Sequence, residues 1–415
     1  MMRKRLFIFT FLAFQVVVSA QQRTILPYSV FGIGEINSKG FVRNLGMGRS
    51  GIALSSGRYL NNLNPASYCS IDSISFFFDF GLSADFVKYE TASDPLQHGT
   101  DVNLRNIAMG FRISHNWSAS IGIAPYSTVG YKIVTEEEIE GTANEKYQAV
   151  ITGNGGLNQF YWNNSYLLFN RLSLGVNFTY LFGNVESTET ISYYKFNSDI
   201  ISKQTSYLNK VYADFGIQYF FPVKENLQVT LGGVFGNSHK LNFNEKITIA
   251  GSDGDLTEDE ITRNGTFDFP MYIGGGIALV FKNRITFSAD YLFYDWSQTT
   301  SENPEFNYKS NNTFKVGVEY IPGRYNQLGY FGSISYRAGY YYEESYLEID
   351  KHTIADNGIT LGLGFPFLQN KTSINIAYNV GVNGTLNNGL IKENYNSIMV
   401  SLTLHDWWFL KRKFD

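Results

Sequence analysis

Residues 172–182 read LSLGVNFTYLF, and this stretch decides the fold class. Apolar side chains fall on every second position from Leu172 to Phe182, and positions 173, 175, 177 and 179 between them carry Ser, Gly, Asn and Thr. Because the side chains of a β-strand alternate between two faces, the stretch predicts a strand with one apolar and one small, polar face. The alternation recurs at 284–293, 373–383 and 397–404.

The polar face of these strands lacks the Lys and Glu that a solvated sheet carries, which favours a β-barrel in a membrane over a soluble sandwich. Aromatic residues make up 16% of the chain and charged residues only 17%, with a mean hydropathy of −0.16. Such averages are typical of a barrel, whose lipid-facing and lumen-facing residues alternate. The net charge of −4 gives no indication of nucleic-acid binding, and the single cysteine excludes an intramolecular disulfide.

The spacing of polar connections predicts the strand number. Outer-membrane barrels have short periplasmic turns and longer extracellular loops. Short turns are predicted near 115–116, 170–171, 222–226, 282–283, 322–328 and 368–371. Long connections are predicted near 91–100, 136–145, 186–203, 248–262, 299–311, 350–356 and 386–394. These predict an all-β, antiparallel transmembrane barrel of about 14 strands.

Two of the predicted strands contain residues that interrupt a regular ladder. Residues 145–169 are interpreted as one long strand, bent at Gly153, Gly155 and Gly156, because glycine in a strand often marks a bend. The third strand, 117–134, contains Pro125, which cannot donate to a ladder. Four tryptophans near strand ends are expected at the membrane interfaces: Trp117, Trp296, Trp407 and Trp408.

The N-terminal residues predict export. Residues 1–20 carry a basic start, an apolar stretch and a small-residue cut after Ala20, which is typical of a signal peptide; the stretch is too short for a spanning anchor. Residues 21–72, rich in Gly, Asn and Ser, are expected to form a plug, or hatch, in the lumen, followed by a barrel over 73–410. The basic residues in 411–415 form a periplasmic tail, either solvated or in contact with lipid phosphates or a partner.

Three other patterns are candidate sites, and each has a simpler interpretation. Residues 46–51 match G-x-G-x-x-G, but without a βαβ unit glycines for tight turns are favoured over nucleotide binding. The acidic residues between Asp253 and Glu260 do not match a calcium loop, so a solvated loop is favoured over a cation site. The five histidines are expected singly in loops and turns, and no metalloprotease or esterase motif occurs, so neither an enzyme nor a cofactor is predicted.

Motifs in 28–73 resemble a known family. They are Tyr28-Ser29-x-x-Gly32-x-Gly34, Asn44-x-Gly46-Met47-Gly48, Asn64-Pro65-Ala66-Ser67 and Ile71-Asp72-Ser73. Together they resemble the FadL/TodX outer-membrane transport proteins, and more closely a branch in Bacteroidetes-type bacteria that includes PorV-like proteins.

The resemblance implies a fourteen-stranded barrel with an N-terminal hatch that contains Gly46, Gly48, Asn64, Pro65 and Ala66. In the transport branch it implies uptake of hydrophobic molecules, which leave sideways through a gap at a kinked early strand. Pro125 is the candidate kink, with a proline beyond the membrane zone as the alternative reading. The PorV-like members imply instead an accessory barrel that docks protein partners, which the polar loops favour. The expected surroundings are outer-membrane lipid and lipopolysaccharide, with no nucleic acid.

Overall fold

The computed structural model describes residues 26–91, 96–139, 145–193, 199–251, 259–300, 306–323, 325–367 and 372–407. The predicted signal peptide and basic tail lie outside these residues, as does nearly all of the acidic 253–260 loop. Among the described residues, no helix has the length and apolarity needed to cross a membrane.

The fold is a closed antiparallel β-barrel of fourteen strands, as predicted, because the last strand pairs with the first barrel strand. Three barrel strands consist of two pieces each, interrupted at 237–238, at Pro270 and at 309–310. The elements are β2 (Ser75–Glu90), β3 (Gln97–Arg112), β4 (Trp117–Glu138), β5 (Lys146–Leu168), β6 (Leu172–Ser192), β7 (Ile200–Lys224), β8 and β9 (Leu227–Gly236, His239–Gly251), β10 and β11 (Asp259–Phe269, Met271–Phe281), β12 (Ile285–Asp295), β13 and β14 (Phe306–Tyr308, Asn311–Tyr320), β15 (Ser335–Ile349), β16 (His352–Phe367), β17 (Thr372–Asn383) and β18 (Lys392–Trp407).

The apolar face points outward and the small, polar face points into the lumen. In β6, Phe178 and Tyr180 are each 45% exposed, whereas Ser173 and Thr179 are almost fully buried. In β17, Tyr378 and Val380 point outward while Asn375 and Asn379 are buried. An outward belt of large apolar side chains around a polar interior is the arrangement that a bilayer selects.

Most predicted connections lie where strands end, but two differ in length. The predicted long connection at 350–356 is wrong: Asp350 and Lys351 alone join β15 to β16, both with positive φ (49° and 65°). Two such residues form a tight hairpin turn, which usually signals itself by Asn or Gly. Conversely, the short turn predicted at 322–328 is a longer connection that contains the kinked helix α2 (Tyr325–Ser333).

The long strand predicted at 145–169 is observed as β5, which stays paired with both β4 and β6 throughout. Gly155 and Gly156 have φ of 110° and 135°, and a Cβ at either would lie 2.2–2.3 Å from a backbone oxygen of the neighbouring strand. A Cβ at Gly153 would meet the Tyr131 ring at 2.0 Å. These glycines therefore let β5 deviate locally without losing its ladders.

Residues 26–74, here called the N-terminal segment, pack inside the barrel. The segment contains 3-10 helices at Pro27–Val30 and Pro65–Ser70, the two-residue strand β1 (Glu35–Ile36) and the helical turn α1 (Val42–Leu45). One of its apolar clusters combines Phe41, Leu60, Tyr68 and Ile71 with wall residues Phe77, Ala108 and Tyr161. The segment thus supplies apolar groups that a barrel this wide cannot supply from its wall alone.

Candidate functional site

The barrel wall has a lateral gap between β3 and β4. Their ladder joins only Ile107–Arg112 of β3 to Ser118–Ile123 of β4, at the ends of the two strands that the short 113–116 connection joins. Beyond it, the 97–106 part of β3 pairs with β2 alone, and β4 from Ala124 onward pairs on that edge with no wall strand among the described residues. More than half of each strand therefore presents an edge that the wall does not satisfy.

Pro125 lies two residues beyond the last β3–β4 pair, where β4 is also irregular on its other edge. Pro125 pairs with Asn158 of β5 and Ser127 pairs with Leu157, so Tyr126 is an extra, bulged residue. Proline lacks the N–H that a ladder needs, and a bulge re-aims the strand that contains it. Sequence reasoning singled out this residue, but not the bulge beside it.

The N-terminal segment occupies the free edge of β4. Glu35 and Ile36 of β1 pair antiparallel with Thr128 and Ser127. Asn37 N donates to Tyr126 O at 2.8 Å, and Leu26 N donates to Gly130 O. The segment thereby satisfies backbone groups that would otherwise be buried without partners.

The opposite side of the gap is held by one arginine. Leu82 of β2 pairs with Leu104 and Gly81 pairs with Asn106, which leaves Arg105 of β3 bulged. Arg105 Nη2 donates to Ser38 O at 2.8 Å. Residues 35–38 therefore bridge the gap, with a ladder on one side and a single side-chain hydrogen bond on the other.

The Asn64-Pro65-Ala66 motif fixes the segment to the wall. Asn64 Oδ1 accepts from Ala66 N at 2.9 Å and caps the 3-10 helix, while Asn64 Nδ2 donates to Ile52 O and to Ile217 O of β7. Ser173 Oγ donates to Ala66 O at 2.7 Å. The partners are backbone groups of the segment and of β7, and hydrogen bonds to such groups explain why asparagine and serine stand at these positions.

Glycines at 46 and 48 allow the segment to touch the wall with its backbone. Gly48 has φ of +63°, and a Cβ there would lie 2.2 Å from Val316 O. A Cβ at Gly339 of β15 would lie 2.1 Å from Gly48 N, and one at Gly46 would lie 3.1 Å from the Cα of Gly362. The glycine pattern at 46–51 therefore belongs to a backbone-to-backbone contact with β14–β16 and not to a phosphate loop.

Two buried ion-pair networks, which sequence reasoning missed, hold the same part of the segment. Arg43 Nη2 and Arg337 Nε contact Glu319 at 2.8 and 2.6 Å, and all three residues are at most 7% exposed. Arg49 Nη1 contacts Glu343 at 2.7 Å and Asp356 at 2.9 Å. The only indication of these networks in the sequence was the presence of charged residues at lumen-facing positions. The alternation of side chains within one strand does not identify the residue of another strand with which such a charge pairs.

A cavity of about 310 Å³ lies between the segment and the wall and reaches the gap, where Arg105, Tyr126 and Thr128 line it. One side is aromatic and includes Tyr212, Phe269 and Tyr294. The other side carries carboxylates from β2, β16 and β18. This combination of an apolar wall with a few polar groups is typical of a small-molecule site.

The prediction that Trp296 lies at a membrane interface is wrong, because its side chain is buried in the lumen and only 1% exposed. Its ring stacks on Tyr346 at 4.7 Å and on Tyr308 at 5.9 Å between centroids. This stack belongs to an apolar cluster that also includes Tyr28 and Ile33. Trp117, by contrast, is 40% exposed, as expected of an interfacial residue.

The histidines also differ from the prediction, because only His115 lies in a turn. His239 of β9 stacks on Tyr212 at 4.5 Å and lines the cavity, and His405 of β18 stacks on Phe77. Within the described ranges, no group of three His, Cys, Asp or Glu side chains has the geometry of a metal site.

Glu35 is the carboxyl group that the N-terminal segment contributes to the cavity lining. Burial, and after it the charge of Asp356, raises the pKa of Glu35 to about 7, although Arg49 opposes both effects. Its Oε2 has no hydrogen-bond partner among the described residues. A carboxyl with this pKa is divided between its two protonation states near neutral pH.

Several solved structures are similar to this chain in fold, although their sequence identity to it is low. A FadL homologue from Pseudomonas aeruginosa aligns over 90% of this chain and all of its own, at 13% identity and a TM-score of 0.61. The toluene transporters TbuX of Ralstonia pickettii and TodX of Pseudomonas putida align at 12% and 14% identity, with TM-scores of 0.57 and 0.54, over 89% and 92% of this chain and 99% of their own. No curated protein sequence matches the chain.

The model of one protein family, BamG, matches residues 1–415. The family model therefore spans both the motifs that anchor the segment and the fourteen-stranded wall, and this chain has the barrel fold of the FadL homologue. Because the match covers the whole sequence, this protein belongs to the BamG family.

Proposed function

We propose that this protein is an outer-membrane channel that takes up hydrophobic small molecules and releases them sideways into the membrane through the gap between β3 and β4. The observation that carries the proposal is the short β3–β4 ladder, whose free edge is covered by β1 instead of by a wall strand. A pair of residues is easier to displace than a transmembrane strand, so the segment is suited to gate the gap.

The cavity supports the same route. It is lined by aromatic residues and reaches the gap, so a bound apolar molecule has a path to lipid that does not cross the periplasm. In this proposal the N-terminal segment is the hatch, with Gly46, Gly48 and the Asn64-Pro65-Ala66 motif as its fixed part and residues 26–39 as its moving part. Pro125 and the bulged Tyr126 keep the wall open beside it.

A second candidate is an accessory barrel, like the PorV-like proteins of the Bacteroidetes-type branch, that docks protein partners and transports nothing. The firm anchoring of the N-terminal segment favours this candidate, because the apolar cluster around Trp296 packs against the segment and two ion-pair networks fix it. A barrel that only presents its surface to partners has no need of a passage.

The deciding experiment is gentle extraction of the protein from its native membrane, followed by mass spectrometry of both small molecules and proteins. A stoichiometric apolar or amphipathic compound without a protein partner supports the channel. A stoichiometric protein partner without a retained compound contradicts the channel and supports the accessory barrel.

A further inference from the structure

The charges that line the cavity are unbalanced. Nine carboxylate residues line it, against four lysines and arginines. Three of those cations are already engaged: Arg49 and Lys315 by Glu343 and Asp356, and Arg105 by Ser38 O. The cavity therefore contains more carboxyl groups than its own cationic side chains can pair with.

The excess is concentrated on one side, around Glu393 of β18. Glu393 is only 3% exposed, lines the cavity, and receives one long hydrogen bond, from Asn383 Nδ2 at 3.3 Å. Its Oε1 has no partner among the described residues, and the same holds for Glu35 Oε2 and for the hydroxyl of Tyr89, which lies opposite Glu393 in the β18–β2 ladder. Buried polar atoms are rarely left without a partner, so three of them together mark a place where a hydrogen-bond donor belongs.

The aromatic wall begins directly beside these carboxylates. The hydroxyl of Tyr346 donates to Gly34 O at 2.7 Å, one residue before Glu35, and its ring stacks on Trp296. A positively charged head between Glu35 and Glu393 would therefore place its apolar body along the Tyr346–Trp296 rings. Aromatic faces attract cations as well as apolar groups.

We propose that the cavity selects amphipathic organic cations, with an ammonium-type head held by Glu35 and Glu393 and an aromatic or aliphatic body on the Tyr346–Trp296 wall. This inference rests on the proposed channel function and narrows its substrate class. An organic acid of the same shape is repelled by the carboxylates, and a neutral alcohol satisfies fewer of the unpartnered atoms.

The test compares three probes with one skeleton: 2-phenylethylammonium, 2-phenylethanol and phenylacetate. Their affinities are measured by equilibrium dialysis against the full-length protein in lipid nanodiscs, with empty nanodiscs as the blank. We expect the ammonium probe to bind at least about tenfold more tightly than the alcohol, since one charge-assisted hydrogen bond contributes on the order of that factor. Phenylacetate should bind most weakly.

Two variants and one control assign the preference to the carboxylates. Glu393→Gln and the double variant Glu35→Gln/Glu393→Gln keep the side-chain shape, and both should reduce the ammonium preference while alcohol affinity is retained. Glu136→Gln, an exposed carboxylate at the outer end of β4, should bind as wild type does. Retained alcohol binding in the variants shows that the cavity is still folded.

The outcomes separate the two levels of the proposal. If all three probes bind and enter cells equally well, the cation preference is wrong and the channel stands. The same conclusion holds if the ammonium preference survives in the double variant. If none of the probes binds or enters, the channel itself fails, and its substrate class with it.

Discussion

Glu35 lies opposite Thr128 in a two-residue antiparallel ladder, so the N-terminal segment takes the place on the β4 edge that β3 leaves at Ile123. This relationship joins the segment, the gap and the cavity, since Glu35 and Thr128 both line the cavity. Displacing this one short ladder would change the wall, the N-terminal segment and the cavity together.

Locking this ladder should stop transport. Ile36 pairs with Ser127, and antiparallel pairs lie about 4.5–5.5 Å apart between Cα atoms, a distance that a disulfide spans. In a Cys69→Ala background, oxidised Ile36→Cys/Ser127→Cys should lose uptake of a labelled hydrophobic probe into cells, and reduction should restore it.

The matched control for the lock is Ile376→Cys/Val400→Cys, a lipid-facing pair in the closed β17–β18 ladder. Its oxidation should leave uptake unchanged. Equal uptake by the oxidised and reduced lock would show that β1 does not move during transport.

Replacing Pro125 should narrow the gap. Pro125→Ala supplies an N–H two residues beyond the end of the β3–β4 ladder. One added backbone hydrogen bond contributes about 1 kcal/mol, which would lower the open population, and with it the uptake rate, by roughly fivefold. Pro366→Ala, at a proline within the regular β16–β17 ladder, serves as the control and should transport normally. Unchanged uptake by Pro125→Ala would remove this proline from the mechanism.

Removing Arg43 should loosen the segment without opening the wall. Arg43→Met leaves Glu319 with Arg337 alone, and breaking a buried pair costs about 3 kcal/mol or more. The loss is measured as a lower unfolding temperature and faster proteolysis within residues 26–74.

Arg58 is exposed, so Arg58→Met controls for the loss of a positive charge from the segment and should change neither quantity. If Arg43→Met unfolds at the wild-type temperature, the network does not anchor the segment.

Two glycine substitutions separate backbone strain from contact. Gly389 has φ of +76° and no neighbouring atom within 4 Å of the position that a Cβ would take, whereas Gly48 combines φ of +63° with wall backbone at 2.2 Å. Gly389→Ala should therefore cost only the left-handed strain, about 1–2 kcal/mol. Gly48→Ala should cost clearly more in the same thermal unfolding assay, and equal costs would contradict a tight segment-to-wall contact at Gly48.

The stability of the segment should fall as the pH rises toward 7. Burial and Asp356 raise the pKa of Glu35 from 4.5 to about 7, so the folded state binds a proton that the unfolded state has already released. The stabilisation of the folded state by the proton on Glu35 is complete below about pH 4.5 and is lost as the pH rises through about 7. Above that pH, Glu35 causes no further change in stability. The groups that act on Glu35 or feel its charge are Arg49, Asp85, Tyr89, Tyr346, Asp356 and Glu393.

Hydrogen exchange of residues 26–39 between pH 5 and pH 8, corrected for its intrinsic pH dependence, measures this effect. Glu35→Gln should show a smaller change in protection than wild type over that range. Identical profiles for the two proteins would assign the pH dependence to another carboxyl.

The strands of the barrel wall were predictable from the sequence, because apolar and small polar side chains alternate with a period of two residues along them. The alternation in 172–182 correctly assigns Phe178 to lipid and Thr179 to the lumen, and a pattern of this kind needs no knowledge of other strands. The Asp350-Lys351 turn was missed because neither residue is Gly or Asn, although both adopt positive φ.

The candidate site was less predictable, because it depends on contacts between distant parts of the chain. The sequence of the 97–106 part of β3 resembles that of any other strand. It does not indicate that this part lacks a ladder with β4. Trp296 ends a strand, as an interfacial tryptophan does, and only the rings of Tyr308 and Tyr346 place it inside. Pro125 could be predicted from the sequence because proline always lacks the backbone N–H, whichever strand lies beside it.

The anchoring of the N-terminal segment has a consequence for the order of folding. The strands that hold the segment lie much later in the sequence than the segment itself. The Arg49–Tyr395 hydrogen bond, for example, spans 346 residues. Contacts of such separation form slowly, since the intervening chain must first be ordered. The residues of the N-terminal segment therefore reach their final positions last, when β18 has closed against β2 and the lumen that receives them exists.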